Sequence, residues 1–110
     1  MKWYSLKTDE ELDQLIENSN TSSQVIFKHS NRCSISAMVK DRLERKPQPN
    51  DITFHFLDLI ANRNLSNRIA KEFGVPHESP QILLIRHGRC LYDESHTSIR
   101  MDEIEAHLME

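Results

Sequence analysis

The sequence predicts an α/β domain, a central mixed sheet of about four strands flanked by helices, with residues 1–110 forming one unit. Three observations carry this reading. Helical-period and strand-like apolar segments alternate along the chain. The last two strand-like segments face each other across a two-residue turn, and no repeat, low-complexity stretch or long linker breaks the order. At 110 residues the chain has the size of one domain, which buries roughly two-thirds of its unfolded surface.

Thr8-Asp9-Glu10-Glu11 has the capping-box pattern, and Leu12, Leu15 and Ile16 then share one face, so the first element is an amphipathic helix. Ahead of it, Trp3 and Tyr4 are expected to pack near a sheet edge. Gln24-Val25-Ile26-Phe27-Lys28 is short, β-rich and bounded by polar residues, as a buried strand is. Ile35, Met38, Val39 and Leu43 take helical spacing as far as Lys46-Pro47, so the second helix starts at Cys33. Residues 45–50 are the most loop-like segment. Residues 51–59 alternate Ile52, Phe54 and Phe56 with Thr53 and His55, a central strand.

Leu65, Ile69, Ala70 and Phe73 mark a third helix, stopped by Gly74 where a left-handed terminal residue is wanted. Ile82-Leu83-Leu84-Ile85 lies in a strand over 81–86, His87-Gly88 is a turn, and 89–93 returns as the second arm of a hairpin. Met101, Ile104 and Leu108 define a closing helix. The order is α-β-α-β-α-β-β-α, with the first βαβ unit parallel and right-handed and the last two strands antiparallel. That is the thioredoxin arrangement.

Charge and composition narrow the function. The 14 basic and 17 acidic residues are mixed along the chain for a net charge of −3, and no window is basic enough for a nucleic-acid footprint. No run approaches the ~20 apolar residues of a membrane span, and the start of the chain carries no signal-peptide core, so no membrane partner is expected. Two distant cysteines do not make a secreted disulfide framework. Together these features lead us to expect a cytoplasmic protein.

The chemistry concentrates at Phe27-Lys28-His29-Ser30-Asn31-Arg32-Cys33-Ser34-Ile35-Ser36. Cys33 sits where a strand gives way to a helix, and the free N–H groups of a helix N-terminus can draw a thiol pKa from about 8.5 into a range of roughly 3.5–7.5. Arg32 and Lys28 push the same way, and Lys28 and His29 are candidates for the mouth of the site. Ser36 occupies the position of a resolving cysteine; its hydroxyl can hydrogen-bond a thiolate but cannot form a disulfide. The motif is C-x-x-S, which leaves one nucleophile.

A second segment, Val75-Pro76-His77-Glu78-Ser79-Pro80-Gln81, leads into the hairpin where thioredoxin-like proteins place a cis-proline beside the active cysteine. Pro80 fills that place, and Ser79 would then offer its backbone N–H and C=O to an extended partner. With both segments in view, the chain resembles the monothiol bacilliredoxin family, whose members carry F-K-H-S-x-x-C-P-I-S and a later H-x-S-P-Q. The similarity runs from the Trp3 region to the final helix. Ser34 departs from it, standing where the family typically has proline, which would fix the first helical turn at no hydrogen-bond cost.

The resemblance implies a thioredoxin-like fold and exchange of bacillithiol on protein thiols. Cys33 would attack the small-thiol sulfur of a protein mixed disulfide, release the protein thiol, and be regenerated by a second small thiol. Bacillithiol would act as co-substrate, with no bound cofactor, and the partners would be bacillithiolated proteins and small thiols. Two other readings stand beside this one. One is a monothiol glutaredoxin-like protein using glutathione or sharing an iron–sulfur cluster through Cys33, although Ser34-Ile35 differs from the Gly-Phe of the usual C-G-F-S loop. The other is an interaction module that kept the fold and lost the chemistry. Cys90, beyond the hairpin turn, reads as a packing residue. The six histidines show no zinc spacing, so no metal site is expected.

Overall fold

The computed structural model describes residues 1–108, in the order β1 (Trp3–Ser5), α1 (Asp9–Asn18), β2 (Ser23–His29), α2 (Ser34–Glu44), β3 (Ile52–Asp58), α3 (Arg63–Phe73), β4 (Gln81–Arg86), β5 (Arg89–Ser95), a short 3₁₀ turn (His96–Ser98) and α4 (Met101–His107). The sheet has five strands in the order β1-β3-β2-β4-β5. The expected count of about four omitted β1, whose three residues are too few to show alternation. It is nonetheless a parallel edge strand, with Trp3 opposite Phe54 and Ser5 opposite Phe56. β2 and β3 are parallel, with Ser23 opposite Ile52 and His29 opposite Asp58. β4 runs antiparallel to β2 and pairs with β5 as a hairpin.

Local chemistry explains the element ends. Thr8 Oγ1 accepts from the Glu11 N–H at 3.1 Å, and the Glu11 carboxylate accepts from the Thr8 N–H at 3.0 Å, which completes the capping box. Gly74 closes α3 at φ 66°, a conformation that favours a residue without a Cβ. His87 and Gly88 both have positive φ, at 53° and 73°, as a tight hairpin turn requires.

Because β2 and β4 are central, their side chains are buried on both faces. One face joins Ile26, Leu57 and Leu83 to Leu12 and Leu15 of α1 and Leu65 and Ile69 of α3. The other joins Val25, Phe27, Phe54 and Ile82 to Val39 and Leu43 of α2 and Ile104 of α4. The inward residues of α2 are Ser36, Val39 and Leu43, whereas Ile35 and Met38 are 42% and 47% exposed. Helical spacing had grouped both with the core; a small serine takes the inward place instead. Among the described residues, no helix is long and apolar enough to cross a membrane.

Candidate functional site

Parallel pairing brings the C-terminal ends of β2 and β3 together, and the antiparallel β4 starts at that same end, with Lys28 opposite Gln81. The Leu59 N–H donates to the His29 carbonyl at 2.9 Å and fastens the two outgoing loops. Functional residues of open α/β sheets collect at such strand ends. Cys33 is the N-cap of α2, at φ −110° and ψ 115°, and is partly buried and free. Its N–H donates to the Ser30 carbonyl at 3.2 Å and its carbonyl accepts from Ala37, while its sulfur makes no capping hydrogen bond. The thiol thus sits at the helix mouth with its side chain uncommitted.

The Ser79–Pro80 peptide bond is cis. The Pro80 carbonyl is taken by the His96 N–H at 2.9 Å, while among the described residues nothing pairs with the Ser79 N–H or C=O. The Ser79 hydroxyl is likewise buried without a partner. An extended chain laid beside Ser79 would find a backbone donor and a backbone acceptor.

The supporting residues separate. Arg32 and Ser34 are exposed beside the thiol, and the Arg32 N–H donates to Ser30 Oγ at 3.3 Å. Ser36 is fully buried, and its hydroxyl is engaged elsewhere than at the sulfur, where we had expected it. Ser36 Oγ accepts from the Ser30 N–H at 3.2 Å and lies 2.7 Å from His29 Nδ1. With one lone pair so used, the hydroxyl proton can go to the imidazole, which matches a His29 whose pKa is lowered by burial and by the charge of Lys40, against an opposing pull from Asp58. His29, expected at the mouth of the site, is instead buried against Phe27 and Phe56 under α2, where it braces the cysteine loop from below.

Lys28 is the larger correction. Successive strand residues point to opposite faces, so Lys28 turns away from His29 and lies on the α1–α3 face with none of its surface exposed. Its Nζ donates to the Ser66 carbonyl of α3 at 3.2 Å and lies 3.5 Å from His77 Nδ1. Burial lowers its pKa to about 8. The expected cation at the thiol is a buried cation under the Ser79–Pro80 segment. His77 entered the sequence reading only as part of that segment's motif.

Cys90 pairs with Ile85 near the hairpin turn, at the far end of β4 from Gln81. Its S–H donates to the Tyr92 carbonyl at 3.3 Å, and burial, with Asp93 nearby, pushes its pKa to about 11. It is placed neither to resolve a disulfide on Cys33 nor to compete with it.

The arrangement recurs in solved structures. A protein described as having a thioredoxin fold is 28% identical, with a TM-score of 0.84 over 96% of this chain and 92% of its own. Thioredoxin from Trypanosoma brucei brucei gives 12% identity and a TM-score of 0.78 over 98% and 88%. A mutant thioredoxin from Halobacterium salinarum gives 17% and 0.75 over 97% and 91%. A thioredoxin fold with a lone cysteine at the mouth of α2 defines a thiol redox protein. The model of the monothiol bacilliredoxin family, BrxC, matches residues 4–104, and the chain belongs to that family.

Proposed function

We propose that this protein removes bacillithiol from protein mixed disulfides by thiol–disulfide exchange at Cys33. The Cys33 thiolate attacks the bacillithiol sulfur, the disulfide bond between that sulfur and the protein's cysteine sulfur breaks, and the protein leaves as its thiolate. Bacillithiol is then held on Cys33 as a mixed disulfide until a second bacillithiol thiolate displaces Cys33 and departs as bacillithiol disulfide. Each step exchanges one disulfide for another, and the second bacillithiol, which leaves oxidised as bacillithiol disulfide, supplies the reducing equivalents. The observation that supports this most is the placement of Cys33, free at the N-cap of α2, with Ser36 three residues on and Cys90 at the other end of the sheet. A single sulfur at the mouth of α2 suits a carrier better than a dithiol reductant.

Family membership favours bacillithiol over glutathione, and Ser79 supplies unpaired groups for the partner's chain. The test is single-turnover transfer from a bacillithiolated protein, followed by mass spectrometry of both components. Wild type and Cys90→Ser should free the substrate thiol and gain one bacillithiol, while Cys33→Ser should do neither. Transfer by Cys33→Ser would refute the assignment.

A further inference from the structure

We infer that Lys28 and His77 form a clasp between the cysteine strand and the Ser79–Pro80 segment, which makes Lys28 a positioning residue for docking of the disulfide partner. The clasp joins a rigid floor to an irregular rim. Lys28 lies in central β2, opposite Leu57 of β3 and Gln81 of β4, and Ser66 is fully buried in α3 between the core residues Leu65 and Ile69. The rim, residues 75–80, belongs to no helix or strand. Its other ties include the Val75 N–H to the Ala70 carbonyl at 3.1 Å, the Gln81 side-chain amide to the Pro76 carbonyl at 3.0 Å, and the Glu78 N–H to Gln81 Oε1 at 3.4 Å.

His77 is where the rim reaches down to the floor. Its Nδ1 lies 3.5 Å from Lys28 Nζ and 3.2 Å from Ser66 Oγ, so a neutral ring with its proton on Nε2 can accept there. His77 is exposed as a residue, with its Nδ1 edge turned inward. Arg63 of α3 and the neighbouring Glu78 are the other charged groups acting on the ring, and partial desolvation together with Lys28 and Arg63 holds it toward the neutral form. Two residues further on, Ser79 presents its unpaired N–H and C=O. Where those groups stand relative to Cys33 therefore depends on how His77 is held. Neither polar partner of the Lys28 ammonium is a carboxylate, and a buried cation without one is costly where an aliphatic residue would pack well. The clasp gives that cation a use.

This inference rests on the transfer reading only for its kinetic arm. His77→Leu removes the acceptor, Lys28→Met removes the donor at similar length, and His77→Asn keeps an acceptor oxygen near the Nδ1 position. Backbone amide exchange at Val75, His77, Glu78 and Ser79 should quicken by about tenfold in the first two variants, the effect of losing one hydrogen bond of local stability. In steady-state transfer from a bacillithiolated protein, KM should rise about fivefold with kcat within about twofold, since docking and not the thiol is altered. His77→Asn should restore both. Unchanged exchange in His77→Leu and Lys28→Met, or a loss in His77→Asn equal to that in His77→Leu, would overturn the clasp. Should the wild type transfer no bacillithiol, the transfer reading fails by itself and amide exchange alone decides the clasp.

Discussion

Replacing Lys28 by methionine should change the pH dependence of stability in a way that few other substitutions in this chain can. The Lys28 side chain has none of its surface exposed, and burial lowers its pKa from 10.5 to about 8. At about 1.4 kcal/mol for each tenfold change in proton affinity, holding the ammonium inside the protein at neutral pH costs about 3 kcal/mol. Two polar contacts, at 3.2 Å to Ser66 and 3.5 Å to His77, return about 1 kcal/mol each. At pH 7, Lys28→Met should therefore be more stable than wild type by about 1 kcal/mol. Between pH 8 and 10.5 the unfolded chain keeps a proton that the folded chain has released, so wild-type stability rises across that window. By pH 10 most of the cost is gone, and the order should reverse. Urea unfolding of both proteins at pH 7 and pH 10 in reducing buffer reads this directly. Groups common to both, including Cys90 and Tyr92 with their raised pKa values, cancel in the comparison. The wild-type minus variant difference should change by about 2–3 kcal/mol in favour of wild type. A difference that stays constant with pH would show that Lys28 is not a desolvated cation.

Three further substitutions probe the site and its scaffold. Ser34→Pro should raise stability by about 0.5 kcal/mol in urea unfolding, because Ser34 opens α2 and Cys33 already has the extended backbone that a residue before proline prefers. Ser36→Ala should cost about 1–3 kcal/mol in the same assay, since the Ser30 N–H and His29 Nδ1 both lose a buried partner. The Cys33 thiol should remain open to alkylation in that variant. Thr8→Ala removes the capping bond to Glu11 and should lower Tm by about 4 °C in a calorimetric scan, for a loss of about 1 kcal/mol.

The parts of the fold that were legible in sequence are those where local chemistry decides the outcome. The Thr8 capping box, Gly74 at the end of α3 and the His87-Gly88 turn each need a particular residue at a particular backbone position, and each stands where expected. Pro80 was legible through its place in the chain. β1 was not, because three residues show no period and their partner strand lies some fifty positions away; its pairing is a property of the assembled sheet. Helical spacing placed Ile35 and Met38 with Val39 and Leu43, and only the packing of α2 shows Ser36 taking the inward position. At the site, Cys33 could be read from its strand-to-helix setting. Lys28 was misplaced because a lysine is expected to seek water; strict alternation from the buried Ile26 already pointed it to the opposite face from His29, and a strand buried on both sides leaves it no route out. The Ser36–His29 and Lys28–His77 contacts join residues 7 and 49 positions apart and depend on the fold being formed.

The central claim is that Cys33 carries bacillithiol as a mixed disulfide, and intact mass spectrometry of the reduced protein tests it most directly. Wild type and Cys33→Ser would each be exposed in parallel to bacillithiol disulfide and to glutathione disulfide. The account predicts one bacillithiol on wild type, none on Cys33→Ser, and full removal by excess bacillithiol. Uptake of glutathione alone, uptake that persists in Cys33→Ser, or no adduct with either disulfide would contradict it.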